Sequence, residues 1–470
     1  MAWYKENVLW KIEKAFEAGY DPALELAKQS TGKRGKAFTS STEEDEELGW
    51  DLDGPWTQHL RRSEQDLIDR IIRGEEIGHY FVLLGPKGTG KTTMVLDAMQ
   101  AVQAEGVAMC DAHPDLEVFR LRLGKALNYE FNEDTQTGLF QRRDPREGGP
   151  ALDIERALNK LEKVALHHAQ RTGKPLILIL NNVHYFNHDD DGRNMLLQFQ
   201  QRAEGWAASG ILTMVFSTDD FWPFFVMRKN ASRMHVVSVY DLSPKDALTA
   251  AMRIRKNARR AKVTPEEVQE VVQLVGGRLT YLGKVCRAAD MIKHAKHMLS
   301  VEKAWLLSQI GLIPDCDDDV MDEQKWSSCS WLLLREFVKK RKADVARVQE
   351  AIERGEATQE DLENLPLPRI SYYECRQIMT RPDFMDDLDR KNIIAIDINH
   401  DVSPDSLLIL HAAEEVVAEE GFDELLDSVR DRVDEIESLH RTRELTFKDV
   451  DKGDRIRLTV DKGGARLLEG

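Results

Sequence analysis

The sequence predicts an α/β fold: a five-stranded parallel sheet flanked by helices, then a helical lid and a C-terminal winged-helix module. Three observations predict it. Continuous apolar runs, HYFVLLG, PLILIL and GILTMVFST, alternate with helical patterns, as buried parallel strands covered on both faces do. The first of these runs leads directly into GPKGTGKTT, residues 85–93. Late in the chain, helical patterns give way to two short strand-like runs, NIIAIDIN and SLLILHA, joined by HDVSPD. Helices followed by a β-hairpin are the makings of a small winged helix.

Taken in order, MAWYKENVLWKIEKAFEAGY reads as an amphipathic helix within an N-terminal segment 1–29, with Trp3, Val8, Ile12 and Phe16 near one face. It is expected to pack on the body of the protein, with a partner or membrane-surface contact as the other use. Acids among its apolar residues exclude a signal peptide. Residues 30–49, basic and then acidic, read as a linker. The globular pattern of 50–242 then begins. SEQDLIDRIIRG is helical, with Leu67, Ile71 and Ile72 on one side, and Lys91 to Ala104 is helical. LEVFRLRL alternates as a strand. ALDIERALNKLEKVALHHAQ is a long helix with Leu152, Leu158, Leu161 and Val164 facing inward. MHVVSVYDL closes the sheet. The loop FNEDTQTGLFQRRDPREGGP, 131–150, is long and polar, and such loops are usually functional or disordered.

Three helices are expected over 243–300. Ser243, Pro244 and Asp246 start the first, and Thr264, Pro265 and Glu267 start the second, each a cap, a first-turn proline and an N3 acid. DCDDDVMDEQ, 315–324, reads as a second linker. The winged helix is placed at 325–412. Its helices are CSWLLLREFVKK, Ala343 to Gly355, SYYECRQIM with the capping box Ser371/Glu374, and a short one ending at Arg390. A long helix at 412–440 and a tail with the run RIRLTV fill 413–470.

The chain has 470 residues, 42% hydrophobic and 31% charged, with a formal net charge of −17. That length supports two or three domains with real cores. The acidic balance excludes a bulk nucleic-acid coat, because the average field repels phosphate. Five cysteines (110, 286, 316, 329 and 375) form no CxxC and face no zinc-finger His pair, so they read as reduced thiols. No apolar run is long enough to span a bilayer. The expected location is intracellular, with cytoplasm, nucleus and mitochondrial matrix left open.

Gly85-Pro86-Lys87-Gly88-Thr89-Gly90-Lys91-Thr92 is a complete G-x-x-x-x-G-K-[ST] motif, extended by Thr93. Glycines allow a tight turn whose N–H groups point inward at phosphate oxygens. The helix that starts there adds its positive end. Lys91 can reach β- and γ-phosphates, and the Thr92 hydroxyl can ligate Mg²⁺. ATP and Mg²⁺ are therefore the expected ligands.

A second buried strand in such a site normally ends in two acids, one for the metal shell and one to polarise water. PLILIL instead runs into Asn181 and Asn182. An amide accepts a hydrogen bond but carries no charge and takes no proton. A lost general base costs about 10²–10⁴-fold in rate. Slow hydrolysis in a nucleotide-bound switch, a displaced base among His184, Asp189, Asp190 and Asp191, and an engineered trap are the competing explanations.

With these motifs in place, the chain resembles the AAA+ and STAND groups of P-loop ATPases, close to origin-recognition-type AAA modules with a C-terminal winged helix. The resemblance covers about residues 51–298 and more loosely 325–412. WTQHLRRSEQDLIDRII resembles the helix before the P-loop, with Arg62-Ser63-Glu64 replacing Gly-Arg-Glu, and implies Trp56 and Leu60 near adenine. VFSTDD resembles the sensor 1 strand and implies Ser217 or Thr218 at the γ-phosphate. ASRMHVVSVYDLSPKDA implies an arginine finger at Arg233, with Arg228 as runner-up. VGGRLTYLGKV implies that Arg278 reaches the phosphates as sensor 2, although Gly276-Gly277 also reads as a plain helix stop. An arginine acting on a neighbour implies a homo-oligomer.

The resemblance also raises DNA binding through the winged helix. RIRKNARRAK (253–262) and KKRK (339–342) are the basic segments that would serve it. SYYECRQIM offers only Arg376 and Arg381, with Glu374 opposing phosphate, so a protein contact through the winged helix or the N-terminal helix is favoured. The expectation is an ATP-dependent conformational or assembly switch with slow or conditional hydrolysis. A DNA-associated ATPase and a scaffold holding ATP as a fixed cofactor are the alternatives.

Overall fold

The computed structural model describes residues 2–24, 61–131, 149–257, 264–443, 456–461 and 464–469. The linker at 30–49, Trp56, Leu60, loop residues 132–148 and the basic residues 258–262 lie outside the described residues, as does the side chain of Trp3.

The N-terminal helix α1 (Ala2–Ala15) is followed by α2 (Gln65–Ile72), β1 (Tyr80–Leu84), α3 (Lys91–Ala101), β2 (Val107–Asp111), α4 (Leu116–Ala126), α5 (Gly149–Thr172), β3 (Leu176–Asn181), α6 (Asp190–Ser209), β4 (Leu212–Thr218), α7 (Trp222–Arg228) and β5 (Met234–Ser238). All five strands are parallel, in the order β2-β3-β4-β1-β5. Their period-2 alternation builds two cores. Tyr80, Val82, Leu178, Leu180, Met214 and Phe216 face α4, α5 and α6. Phe81, Leu83, Ile177, Ile179 and Val215 face α2 and α3. In α1, Val8, Ile12 and Phe16 are buried in the first of these cores, so the helix packs on the body of the protein.

LEVFRLRL is a helix, not a strand. Asp115 caps α4 by accepting from the Glu117 N–H at 2.8 Å, and Phe119, Leu123 and Ala126 are buried at helical spacing. The strand beside β3 is VAMCD instead. Leu152, expected inward on α5, is exposed, while Leu158, Leu161 and Val164 are buried. On α2, Ile68 joins Ile71 and Ile72 in the core and Leu67 is only half-buried.

Beyond the sheet, among the described residues, come four helices rather than three: α8 (Pro244–Asn257), α9 (Pro265–Val275), α10 (Leu279–Val285) and α11 (Met291–Gln309). Ser243 and Thr264 accept from the Asp246 and Glu267 N–H groups, as their start signals predict. The acidic run 315–324 is not a linker: Cys316 is buried, and α12 (Met321–Glu353) begins inside it. That helix is one 33-residue element where two were expected. It is followed by α13 (Gln359–Glu363), β6 (Ile370–Ser371), α14 (Tyr372–Met379), α15 (Pro382–Arg390), β7 (Ile394–Ile396) and β8 (Asp401–Pro404). Strands β6, β8 and β7 form an antiparallel wing.

SLLILHA, expected as a strand, opens α16 (Leu407–Val417), with Ser406 capping it through the Ile409 N–H at 3.3 Å. The helix expected over 412–440 is therefore two, α16 and α17 (Phe422–Arg443), parted at Gly421 with φ +86°. The tail run pairs as β9 (Ile456–Asp461) with β10 (Gly464–Glu469). The four helices and the winged helix share one continuous core, from Ala247 through Trp331 to Leu426. Among the described residues, no helix is long and apolar enough to cross a membrane.

Candidate functional site

The loop between β1 and α3 carries the site. Gly88 has φ +85°, and a Cβ there would lie 2.3 Å from Thr280 Oγ1 on α10, so only glycine fits beneath that helix. Lys91 opens α3 and is buried to 4% exposure. Its Nζ donates to Gly85 O at 2.5 Å and Pro86 O at 2.9 Å, and pairs with Asp219 Oδ1 at 2.7 Å. Burial pushes the Lys91 ammonium below its ordinary pKa, and Asp219 works against that fall. Thr92 Oγ1 stands 3.2 Å from Asn181 Oδ1, and Asn181 Nδ2 donates to Asp111 Oδ1 at 2.7 Å.

A pocket of about 290 Å³ opens beside this loop. Its floor holds Gly88, Gly90, Lys91, Thr92 and Thr93, with Asn182 and Asp219 on one wall. The helical segment contributes Arg253, Leu279, Thr280 and Arg287 to the lining. A larger cleft of about 840 Å³ lies behind the loop, between Tyr240, Lys245 and the winged helix. It contains neither Lys91 nor Thr92, so the smaller pocket is the candidate site.

The expected residues divide into three groups. Gly88, Gly90, Lys91, Thr92, Thr93 and Asn182 line the pocket together. Gly85, Pro86, Lys87 and Thr89 shape its loop, through the carbonyls of Gly85 and Pro86 that hold Lys91, that of Lys87 that receives Arg278 and that of Thr89 that receives Arg62. Ser217 is buried, and among the described residues its Oγ has no hydrogen-bond partner. Thr218 turns away to donate to Asp220 O at 2.8 Å.

Arg233 sits at the start of β5, where its carbonyl accepts from Tyr80 N–H. That is the opposite end of β1 from the loop, on the order of 16 Å along the strand. It cannot serve its own chain's pocket. Arg228 donates to His400 of the wing.

Arg278 is buried at 1% exposure, where it donates to Asp241 at 2.6 Å, Lys87 O at 2.9 Å and Asp405 Oδ2 at 2.8 Å. Burial opposes its charge, but Asp405 and Asp241 more than offset that, so the guanidinium stays above its ordinary pKa. Gly276 stops α9, and Gly277 is pressed against Leu242, whose oxygen would lie 2.0 Å from a Cβ. The glycine pair is thus a helix stop and a close-packing point, while Arg278, held by Asp241, Lys87 O and Asp405, does not line the pocket as the sensor 2 expectation requires.

Of the expected alternatives for a base, Asp189 caps α6 through Gly192 N–H at 2.8 Å. His184 stays beside the site: its Nδ1 accepts from Asp219 N–H at 3.1 Å, which leaves Nε2 carrying the proton and facing Asp219 Oδ2 at 3.8 Å. Burial holds His184 below its usual pKa.

Three participants escaped the sequence reading. Asp219 was visible in VFSTDD only as strand-end polarity. Arg62 bridges Thr89 O at 2.8 Å and Tyr240 O at 2.6 Å, tying the loop to the end of β5. Asp111 ends a strand that the sequence did not announce. Of the basic segment 253–262, Arg253 lines the pocket and Arg255 is buried against the carbonyls of Cys286 and Ala288.

A parallel sheet of this order, with a glycine-rich loop and a buried lysine beside a pocket, has the architecture of a P-loop nucleotide-binding domain. Residues 60–212 match the family described as the AAA ATPase domain, and residues 307–437 match the C-terminal winged helix domain of fungal AAA proteins. The chain thus carries a segment that matches the AAA ATPase domain, followed by one that matches the fungal AAA winged helix. No curated protein matches it.

Among solved structures, a Walker-type ATPase of Pyrococcus abyssi is 12% identical, with a TM-score of 0.47, over 77% of this chain and 99% of that one. Cdc6p of Pyrobaculum aerophilum is 13% identical, with a TM-score of 0.33, over 81% and 96%. AMPPCP-bound DnaA of Aquifex aeolicus is 10% identical, with a TM-score of 0.34, over 83% and 99%.

Proposed function

We propose that this protein binds ATP with Mg²⁺ between the P-loop and the helical lid, and uses the bound nucleotide as a conformational or assembly switch with slow hydrolysis. The observation that carries this reading is the pairing of an intact phosphate cradle with amides at both acid positions. Lys91 and Thr92 line the pocket while Asn181 and Asn182 supply no carboxylate to it.

Mg²⁺ takes oxygen ligands and retains several waters. The Thr92 hydroxyl, with its proton directed at Asn181 Oδ1, offers lone pairs to such an ion. When bound, the ion would neutralise phosphate charge; Lys91 would release Gly85 O and Pro86 O to bind the same phosphates. A switch also needs a route to the rest of the molecule. Arg278 supplies one, because it holds the Lys87 carbonyl of the loop and Asp405 of the winged helix at once. Assembly through Arg233 fits its place far from its own pocket. The DNA reading has less support: Arg255, Lys340 and Arg341 are engaged by backbone carbonyls.

The test is the purified full chain with ATP and Mg²⁺, with bound nucleotide, phosphate release and molar mass read together. The expected result is saturable binding, slow phosphate release and a mass or shape change with ATP. Lys91→Ala is expected to lower affinity at least about 100-fold, through loss of a buried charge-assisted contact. Absence of saturable binding by the wild type would overturn the reading.

A further inference from the structure

The charge missing at position 181 stands one strand farther out. In the parallel pairing of β2 with β3, Asp111 is the register partner of Asn181. The backbone locks the two together, since Ala112 N–H donates to Asn181 O at 2.9 Å. Between the side chains, Asn181 Nδ2 donates to Asp111 Oδ1 at 2.7 Å. An ionised carboxylate can only accept, whereas a carboxamide has one donating and one accepting end. Asp111 therefore decides which way the buried amide points. Its NH₂ must face Asp111, and its oxygen must face the other way, where Thr92 Oγ1 stands at 3.2 Å.

The same logic passes to the hydroxyl. Thr92 has one proton and two lone pairs. Facing an acceptor, it gives Asn181 the proton and keeps its lone pairs for a cation. Were the amide reversed, its NH₂ would occupy a Thr92 lone pair and turn the hydroxyl proton outward, which repels Mg²⁺. We infer that Asp111 is a positioning residue for the Mg²⁺ of the bound nucleotide: it fixes the Asn181 amide, which fixes the Thr92 hydroxyl. It also returns a negative charge to the metal's surroundings two hydrogen bonds away. This inference rests on the ATP and Mg²⁺ reading above and adds a residue to it.

Outer-shell partners of this kind are typically worth about 10–100-fold in metal affinity. The experiment titrates Mg²⁺ into the full chain holding a fluorescent ATP analogue, alongside analogue binding in EDTA and a thermal melt. Asp111→Ala is expected to raise the Mg²⁺ concentration for half effect about 10–100-fold, with affinity in EDTA and the melting midpoint little changed. The exchange Asp111→Asn with Asn181→Asp keeps the hydrogen bond and reverses its ends. The carboxylate brought to position 181 would then accept from both Thr92 and the amide brought to position 111. The Mg²⁺ response of the exchange variant is expected to return to within about threefold of wild type.

An unshifted Mg²⁺ response in Asp111→Ala, or an equal loss of affinity in EDTA, overturns the positioning role while leaving nucleotide binding intact. If Asp111→Ala fails to fold, the exchange decides: a folded exchange variant without a normal Mg²⁺ response overturns it. A wild type that binds the analogue under neither condition overturns the ATP reading and this inference together.

Discussion

At the scale of single residues, the slow hydrolysis proposed above turns on one functional group at position 182. Asn182 lines the pocket beside Asp219 and sits with φ +56°, in the left-handed region that asparagine tolerates. Its amide can orient a water but cannot accept the proton that water must lose. Asn182→Glu places a carboxylate there. The expected outcome is a rise in steady-state phosphate release of about 10²–10⁴-fold at pH 7, with nucleotide affinity changed little. Rapid release by the wild type, left unchanged by Asn182→Glu, would show that another group already does this work; Asp219, with His184 beside it, would then be the first to replace. The loop from Gly85 to Thr92 was legible because its residues are contiguous and each has a stated chemical reason. Asp219 and Asp111 were not, because they come from the ends of other strands. Only the strand order β2-β3-β4-β1 brings three such ends alongside one loop, and no local pattern reports that order.

At the scale of elements, sheet strands with all residues buried were read correctly, and amphipathic pieces with mixed periods were not. In LEVFRLRL, residues 117, 120 and 122 are charged and 116, 118, 119, 121 and 123 are apolar, so that 119–123 alternate as a strand would. A strand would put Phe119, Leu121 and Leu123 on one face. The helix separates them: Phe119 and Leu123 are fully buried, while Leu121 is 61% exposed. Phe119 also meets Phe186 and Phe199 edge-on, at centroid distances of 4.9 and 5.6 Å. Phe119→Ala is therefore expected to destabilise the protein by about 3–5 kcal/mol, and Leu121→Lys by no more than about 0.5 kcal/mol. Denaturant melts of the two variants check this, and comparable losses would contradict the helix. The same ambiguity hid α16, whose unbroken apolar run SLLILHA reads as a buried strand until Ser406 is seen to cap it. It also hid the continuity of α12, where exposed polar residues after Val338 look like a helix end.

At the scale of the whole molecule, the lid and winged helix form one body that closes on the AAA sheet, and the seam between them contains carboxylates with little solvent. Asp389 of α15 accepts from Phe221 N–H at 2.8 Å, across from Asp220. Burial raises Asp220 to about 7 and Asp389 well above its usual value, and Asp220 adds to the rise at Asp389. Asp219 adds to the effect on Asp220, while Arg390, Lys91 and Lys87 pull its pKa back down. A carboxyl that holds its proton more tightly when folded stabilises the fold below its unfolded pKa and loses that contribution as pH rises through the folded value. Asp220 should therefore weaken the seam as pH climbs through about 7, and Asp389 acts in the same direction.

The nearby histidines act with the opposite sign. Burial lowers His184, His188 and His400, so their contributions are lost as pH falls and are complete above about 6.5. Buried Asp405, raised to about 6 against the pull of Arg278, has largely ionised by then. The window from pH 6.5 to 8 thus brackets the value of about 7 for Asp220. Across it the thermal midpoint of the full chain should fall by a few degrees. Asp220→Asn should flatten that fall and leave the variant more stable than wild type at pH 8, by roughly 1–2 kcal/mol after allowance for partial exposure. A wild-type midpoint that is level across the window, or a slope that survives in Asp220→Asn, would mean that the seam does not hold its protons. An intact slope in Asp220→Asn that disappears in Asp389→Asn would instead place the proton on the winged-helix side.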